Sequence, residues 1–504
     1  MKKNIRNFAM TLMFGASVLT ACTDSFEEIN TDPDRAEDVP TTNLLAYSLY
    51  YTGGHLYDRW FSLDEPMTFG AYAAKMAYID ESRYDYRVST QENNWTYVYR
   101  ILNNIMDIQS RSAGTPNMMN VAKVLEVQTM QIATDRWRDV PYTDAVKMKE
   151  GMLQPTYNTQ EEIYPALLDK LKEAADGFAA GASDALGEGD LLFKGDVSKW
   201  QKYCNSLRLR LALRISEVAP ELARQTVEEV LGNPDRYPIM QSNDDNAFFW
   251  WIGTDPNYYE PFADGYRTRQ AEYCASDVVV DNMTQREDPR CATYFQYTIK
   301  SVAAGNPVYK GYTIGAQDYA DAGDCSIWGS RFFTDLDGFS PFMRIAEVWF
   351  HIAEASYLGW NTGTTAEEAY YKAVNFSMEE NMKYLVEKKG MAQADADAAV
   401  AAYLEGAGKY TGDKKQIYYE EWVAMFKQGM EGWSLYRRTG VPENNYIAPG
   451  RSSKYADHNV PPFRSPYPDK ERNLNTKNCK PFDDQIVDNL WGKQMWWDTR
   501  AGVY

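Results

Sequence analysis

Apolar residues recur at helical spacing over most of this sequence, and that pattern constrains the fold more than any other feature. Thr159 and Glu162 form a capping box, which satisfies free backbone N–H groups where a helix begins. Asp196 is placed to cap a second helix. Because sustained β alternation is scarce, the sequence predicts an all-α fold. The face behind the capping box shows the three- and four-residue spacing: Ile163, Tyr164, Leu167, Leu168, Leu171, Ala174, Ala175 and Phe178.

Several predicted helices come as neighbours joined by short turns. We expect one pair over 92–112 and 117–137 and another over 341–358 and 365–378. Small residues on both helices of the second pair permit close approach. This organisation is typical of tetratricopeptide-like hairpins, although the usual period of about 34 residues is degenerate here. The hairpins are expected mainly within 41–231 and 341–440.

Two stretches, 232–340 and 441–482, lack helical periodicity and are rich in Asn, Asp, Gly, Pro and aromatic residues. Long irregular segments in compact domains are usually functional or disordered, and the density of rings argues against disorder. The sequence therefore predicts a loop-rich lobe with a binding function. Its candidate ligand-binding residues are Trp250, Trp251, Asn257, Tyr258, Tyr259, Tyr266, Arg267 and Trp328.

Flat rings can stack on the C–H faces of sugars. Tryptophans at core spacing or on the motif helix are instead expected to be structural: Trp95, Trp200, Trp349, Trp422 and Trp433. Adjacent residues of an extended chain point in opposite directions, so at most one of Trp250 and Trp251 is expected to face a ligand. The alternative is that these rings form a hydrophobic cluster that only holds the loops together. Asp80 and Arg83 are further binding candidates, with a buried ion pair as the alternative that we favour.

The N-terminus combines positive residues with an apolar run over 8–21 that is too short to span a membrane. This pattern predicts a secretory signal. Residues 19–22, Leu-Thr-Ala-Cys, resemble a lipobox, so we expect a lipoprotein signal peptide over 1–21, lipidation at Cys22 and an acidic surface tether over 22–40. Acyl chains on Cys22 would anchor the protein to a membrane. The alternative is an ordinary signal peptide with a chance cysteine.

The remaining composition excludes some functions and leaves others open. A net charge of −19 argues against nucleic-acid binding, which needs a basic face. We find no H-E-x-x-H, G-x-S-x-G, P-loop or C-x-x-C motif, and the cysteines follow no disulfide or zinc spacing. We therefore predict neither catalysis nor a cofactor. The motif TDLDGF at 334–339 is a weak signal for structural calcium, and the abundant acids leave a glycosidase pair open.

A series of motifs resembles the SusD/RagB family of nutrient-binding outer-membrane lipoproteins. The match runs in family order from the lipobox to the C-terminus, which is more specific than any one motif. Its most telling block is YYEEWVAMFKQGMEGWSLYRRTGVP at 418–442. The other blocks are YIDESRYDY (78–86), TDRWRDVPYTDA (134–145), YNTQEEIYPALLDKL (157–171), GDVSKWQKYCNSLRLRLALRIS (195–216), DPRCATYF (288–295), RIAEVWFHIAEA (344–355), RSPYPDKERNLN (464–475) and WWD (496–498).

The resemblance implies a SusD-like fold over 41–504 and a position outside the outer membrane. There the protein would act as the lid of a SusC-like TonB-dependent transporter, capturing oligosaccharides and delivering them to it. Some family members take peptides instead, so a peptide ligand stays open. A lipid-anchored hydrolase and an adaptor that binds only protein stay open as well.

Overall fold

The computed structural model describes residues 39–85, 87–268, 272–443, 458, 460–486 and 491–503. The predicted signal peptide, Cys22 and nearly all of the acidic tether lie outside the described residues. So does part of the predicted loop segment 441–482.

The chain is mostly helical, which confirms the predicted all-α class. The helices of the first half are α1 (Thr41–His55), α2 (Val88–Arg111), α3 (Pro116–Trp137), α4 (Gln160–Ala179), α5 (Val197–Arg214) and α6 (Pro220–Gly232). The middle of the chain has the short helices α7 (Pro261–Thr268), α8 (Asp277–Gln285), α9 (Cys291–Tyr294), α10 (Ile299–Ala303) and α11 (Ser330–Phe333). The last part contributes α12 (Ile345–Tyr357), α13 (Ala366–Lys389), α14 (Gln393–Glu405), α15 (Lys414–Ala424), α16 (Gly429–Thr439), α17 (Asp469–Leu474) and α18 (Thr476–Asp483).

Consecutive long helices pack against each other, as the hairpin pattern predicts. Helices α1 to α6 contact their neighbours in sequence, and α12 pairs with α13 in the same way. The capping box at Thr159 and Glu162 begins α4, and a second box at Thr365 and Glu368 begins α13. The predicted helix over 341–358 is shorter than expected, because residues 339–343 pair as a β-strand before α12 begins.

In the described part of the chain, four short strands form two antiparallel pairs, and each pair includes a strand from the predicted loop-rich segment 232–340. Strand β1 (Ala73–Lys75) pairs with β3 (Tyr273–Ala275), and β2 (Ala247–Trp250) pairs with β4 (Phe339–Met343). Strand β4 leads directly into α12, so the β2–β4 pair is held against the helical body. Segment 232–340 therefore has more regular structure than its composition indicates.

Two large hydrophobic clusters organise the interior of the described residues, and a third, small cluster lies between α13 and α14. The larger one lies between the long helices and includes Trp200 and Trp433, both fully buried. The second lies under 248–340 and also draws on α15, with Trp328, Phe339, Trp422 and Phe426 among its members. The expectation that Trp200, Trp422 and Trp433 are structural is confirmed by their burial. Trp95 and Trp349, expected to be structural as well, are partly buried against the larger cluster. Among the described residues, no helix is long and apolar enough to cross a membrane.

Candidate functional site

A cleft of about 770 Å³ opens between the β2–β4 pair and the C-terminal half of α13. It brings together three segments that are far apart in sequence, at 242–252, 331–339 and 379–388. Trp250 stands at its edge with 54% of its surface exposed. A concave site of this size, with an aromatic surface and a few polar groups, is typical of small-ligand binding.

The alternation of β2 decides which of its rings reach the cleft. Phe248 and Trp250 share one face, where the Phe248 ring stacks on Phe339 at 4.3 Å and the Trp250 ring lies 5.1 Å from it. Trp251 points the other way and is only 6% exposed, and its indole N–H donates to the Ser340 hydroxyl at 3.0 Å. The two indoles thus face in opposite directions, as an extended chain requires.

Beneath the exposed indole, a charged layer supports the cleft. The Glu380 carboxylate forms ion pairs with Arg331, at 3.0 Å, and with Arg344, at 3.2 Å. The Arg331 guanidinium also lies over the rings of Phe339 and Tyr384, at 5.0 and 5.3 Å from their centroids. A carboxylate partner and ring contacts fix a guanidinium well, so Arg331 is a preorganised donor in the cleft.

Tyr384 provides a hydroxyl on the α13 side. It donates to the Asp335 carboxylate at 2.8 Å and lies 2.9 Å from the Ser330 hydroxyl. Burial is the largest cause that raises the pKa of Tyr384 to about 12, with Asp335 acting in the same direction. The phenol therefore stays protonated at neutral pH and keeps Asp335 oriented.

Gly253 allows the turn after β2 to pass close to the opposite wall. Its φ is +72°, and a Cβ at this position would come within 2.7 Å of the Asp337 backbone nitrogen. Only glycine satisfies both conditions without strain.

The charged groups of the cleft lining are mostly acidic. They comprise six carboxylates, from Asp244, Asp335, Asp337, Glu379, Glu380 and Glu387, and three cationic groups, from Arg331, Lys383 and Lys388.

The prediction that Trp328 contacts a ligand is wrong. Its side chain is fully buried, with its ring 5.0 Å from Phe333 and 5.9 Å from Phe426. Its indole N–H donates to the Tyr72 carbonyl at 3.3 Å. For this ring the alternative of a hydrophobic cluster is correct, because residues distant in sequence cover both of its faces. Tyr266 likewise packs against Phe333, at 4.9 Å.

The remaining candidates of the middle segment do not line the cleft. Tyr258 is exposed and meets Tyr50 of α1 edge-on at 5.8 Å, while the Tyr50 hydroxyl donates to the Asn257 carbonyl at 2.8 Å. Arg267 is 5.5 Å from the ring of Tyr259 and is paired with its helix neighbour Asp264 at 2.9 Å. Of the exposed candidates, Trp250 therefore lies at the cleft, whereas Asn257 and Tyr258 lie beside α1.

Asp80 precedes a short 3₁₀ turn, Glu81–Arg83, and Arg83 is the last residue of that turn. Asp80 is exposed, so it is not the acid of a buried ion pair. The neighbouring Glu81 takes that role, contacting Lys75 at 2.7 Å and Arg87 at 2.5 Å. A buried ion pair thus exists at this turn, as the favoured alternative states, but its acid is Glu81 and not Asp80. The turn directs the Glu81 side chain inward. Tyr78, 64% exposed, lies next to this turn.

Part of the cleft could not be found from the sequence. Arg331 and Tyr384 belong to no motif that points to a ligand. Phe339 ends the stretch 334–339, which resembles a fragment of a calcium loop. In the structure, Asp335 of that stretch accepts the Tyr384 hydroxyl. Among the described residues, no group of three or more His, Cys, Asp or Glu side chains is placed to hold a metal ion.

The comparisons with known proteins agree with the fold. Residues 33–468 match the SusD-like family profile described as "Starch-binding associating with outer membrane". A solved chitin-binding protein is 26% identical with a TM-score of 0.78, covering 92% of this chain and 100% of its own. A chitin-binding SusD homologue from Flavobacterium johnsoniae is 22% identical with a TM-score of 0.78 and the same coverage. A SusD homologue from Bacteroides uniformis is 22% identical with a TM-score of 0.77, again with that coverage. No curated protein matches the chain significantly in sequence.

Proposed function

Because the chain belongs to the SusD-like family, which is described as starch-binding and associating with the outer membrane, we propose that it is a surface lipoprotein that binds oligosaccharides without turning them over. The observation that carries the proposal is the exposed indole of Trp250 at the edge of a polar cleft. A sugar ring can place its C–H face on this indole, while Arg331 and the surrounding carboxylates reach its hydroxyl groups.

Two further points support a glycan as ligand. The 26% identical chitin-binding protein shares the fold over its whole length. The cleft also joins an apolar ring to charged groups at its edge, a combination that suits a molecule with both C–H faces and hydroxyls. Peptide binding is the second candidate, since exposed rings and charges also recognise peptides.

We extend the proposal to the partner and the anchor. Lipidated Cys22 would hold the protein at the outer membrane, facing the cell exterior. There it would pass its ligand to a SusC-like TonB-dependent transporter. The resemblance of the sequence to the SusD/RagB family supports this step, and the acidic segment after Cys22 is in keeping with a surface position.

The ligand class is tested by screening the purified protein on a glycan array beside a peptide-library pull-down. We expect binding to starch- or chitin-type oligosaccharides, confirmed by calorimetry, and recovery of the intact ligand after long incubation. Selective retention of peptides would replace the glycan by the second candidate. Shorter oligosaccharide products would instead identify a hydrolase.

The partner is tested by isolating the protein from outer membranes in mild detergent. A TonB-dependent transporter is expected among the co-purified proteins. Its absence, with ligand binding intact, would leave a binding protein without the proposed delivery role.

A further inference from the structure

Two cysteines that are distant in sequence lie on adjacent backbone segments. Cys274 is in the middle of β3, and Cys325 precedes Ser326, whose carbonyl accepts the Ala275 N–H at 2.9 Å. Cys274 directly precedes Ala275, and Cys325 directly precedes Ser326, so each cysteine is next to one end of this hydrogen bond. The two cysteines are therefore close neighbours across the two segments, although about 50 residues of sequence separate them.

The two thiols lie close enough for each to act on the pKa of the other. The Cys274 thiol also approaches the Ala74 carbonyl at 3.7 Å. The three remaining described cysteines have no such neighbour: Cys204 donates to the Leu171 carbonyl, Cys291 lies near Asp288, and Cys479 lies near Tyr157. Among the five described cysteines, one pair is thus preassembled.

The two thiols differ in exposure and in pKa because their surroundings differ. Cys325 is 4% exposed and follows a loop of largely exposed residues, whereas Cys274 is fully buried. The hydrogen bond from Cys274, with the nearby Lys310 ammonium, lowers the pKa of Cys325. Burial raises the pKa of Cys274 well above its usual value. Cys325 is therefore the better nucleophile, because the thiolate is the reactive form.

We propose that Cys274 and Cys325 are joined by a disulfide in the protein at the cell exterior. The proposal rests on the proposed function only for the compartment, since surface proteins leave the reducing cytosol. The oxidant is the disulfide of an envelope thiol oxidase. The Cys325 thiolate attacks one of its sulfurs and forms a mixed disulfide. The Cys274 sulfur then attacks the Cys325 sulfur, its proton passes to the oxidase thiolate formed in the first step, and the oxidase is released.

The atoms and electrons of this exchange balance. Cys274 and Cys325 lose two protons and two electrons, and the oxidase disulfide takes them up and leaves as a dithiol. The bond would join β3 to the end of the loop that carries Tyr319. That loop is already attached to the β1 side, where the Ala320 N–H donates to the Met76 carbonyl at 3.2 Å. The disulfide would therefore fix the exposed Tyr319 relative to Tyr78.

The test counts free thiols in the full-length protein, taken from membranes in the presence of an alkylating trap and then denatured. Five cysteines are free in the reduced chain and two are paired in the proposal, so we expect three to be alkylated before reduction and five after it. Mass spectrometry should detect the cross-linked peptide that contains Cys274 and Cys325. Alkylation of all five before reduction would overturn the proposal.

Single substitutions test whether the paired thiols are those of Cys274 and Cys325. Cys274→Ser and Cys325→Ser should each show four reactive thiols both before and after reduction. The control Cys204→Ser removes a buried, unpaired thiol and should show two before and four after. A Cys274→Ser count that still rises on reduction would exclude this pairing. If the serine variants fold poorly, the wild-type count and its cross-linked peptide still decide the matter.

A stability measurement supplies an independent readout. Reductant should lower the melting temperature of the wild type by several degrees, as expected for opening a long cross-linked loop, and should leave Cys274→Ser unchanged. Identical melting with and without reductant would count against the disulfide. None of these readouts uses a ligand, so failure of oligosaccharide binding would refute the proposed function and leave the thiol count unaffected.

Discussion

At the scale of single residues, Trp250 and Trp251 are chemically identical neighbours in different environments. One indole stands at the edge of the cleft, and the other is enclosed by Phe249, Tyr50 and Ser340. Substitution at the first should therefore affect binding, and substitution at the second should affect stability. Each serves as the matched control for the other.

Trp250→Ala should weaken ligand binding with little change in melting temperature. Stacking of a nucleic-acid base on a protein ring contributes about 1–3 kcal/mol, and we expect a similar scale for a sugar. Trp251→Ala should instead reduce the free energy of unfolding by about 3–5 kcal/mol, the usual cost of truncating a buried aromatic residue. Calorimetry and thermal melting of both variants provide the check. Normal binding by Trp250→Ala would place the ligand elsewhere, with the surface around Tyr78 as the next candidate.

His351 gives a pH-dependent prediction. Burial, the largest cause, and the nearby Arg438 lower the pKa of His351 to about 3. The folded protein keeps this ring neutral while the unfolded chain takes up a proton near pH ~6.5. Stability linked to His351 is therefore complete above pH ~6.5 and is lost as the pH falls toward about 3.

His351→Asn removes this titration and keeps a polar side chain near the Glu347 carbonyl, which His351 contacts through Nδ1 at 2.7 Å. Between about pH 6.5 and 4, the wild type should lose stability relative to the variant by up to about 1.4 kcal/mol per pH unit. Denaturant unfolding at several pH values measures the difference. Parallel stability curves for the two proteins would disprove the assignment.

At the scale of elements, the turn after β2 determines the shape of the cleft. Gly253→Ala adds a Cβ that collides with Asp337 and imposes a left-handed conformation on alanine. We expect a lower melting temperature together with weaker ligand binding, because the turn and the opposite wall must separate.

Gly305→Ala is the matched control for this turn. Gly305 has almost the same φ, +73°, but nothing lies within 4 Å of a Cβ there. This variant should show only the conformational cost of about 1–2 kcal/mol and normal binding. Equal losses of affinity in both variants would show that backbone strain, and not the contact with Asp337, causes the effect.

At the scale of the whole molecule, the proposed membrane attachment depends on Cys22, which lies outside the described residues. Cys22→Ser should move the protein from the detergent phase to the aqueous phase, because a hydroxyl cannot form the thioether to the lipid. Cys204→Ser, which changes a buried thiol, should partition as the wild type does. Unchanged partitioning of Cys22→Ser would mean that another feature holds the protein at the membrane.

Local sequence patterns were enough to predict the helical class, several helix starts and the family resemblance. Capping boxes and three- and four-residue spacing involve only near neighbours, so the chain around Thr159 specifies its helix without distant contacts. The alternation at Trp250 and Trp251 is local as well, and it correctly predicts that the two rings face opposite ways.

Which rings reach solvent and which segments form the cleft depended on tertiary contacts instead. Trp328 and Trp250 occur in similarly aromatic, aperiodic surroundings, yet Trp328 is enclosed by Phe426 from a distant part of the chain. Phe339 and Tyr384 join Trp250 because β4 pairs with β2 and α13 passes beside them. The meeting of Cys274 and Cys325 arises in the same way. Burial and proximity depend on contacts between residues far apart in sequence, and neither composition nor periodicity encodes those contacts locally.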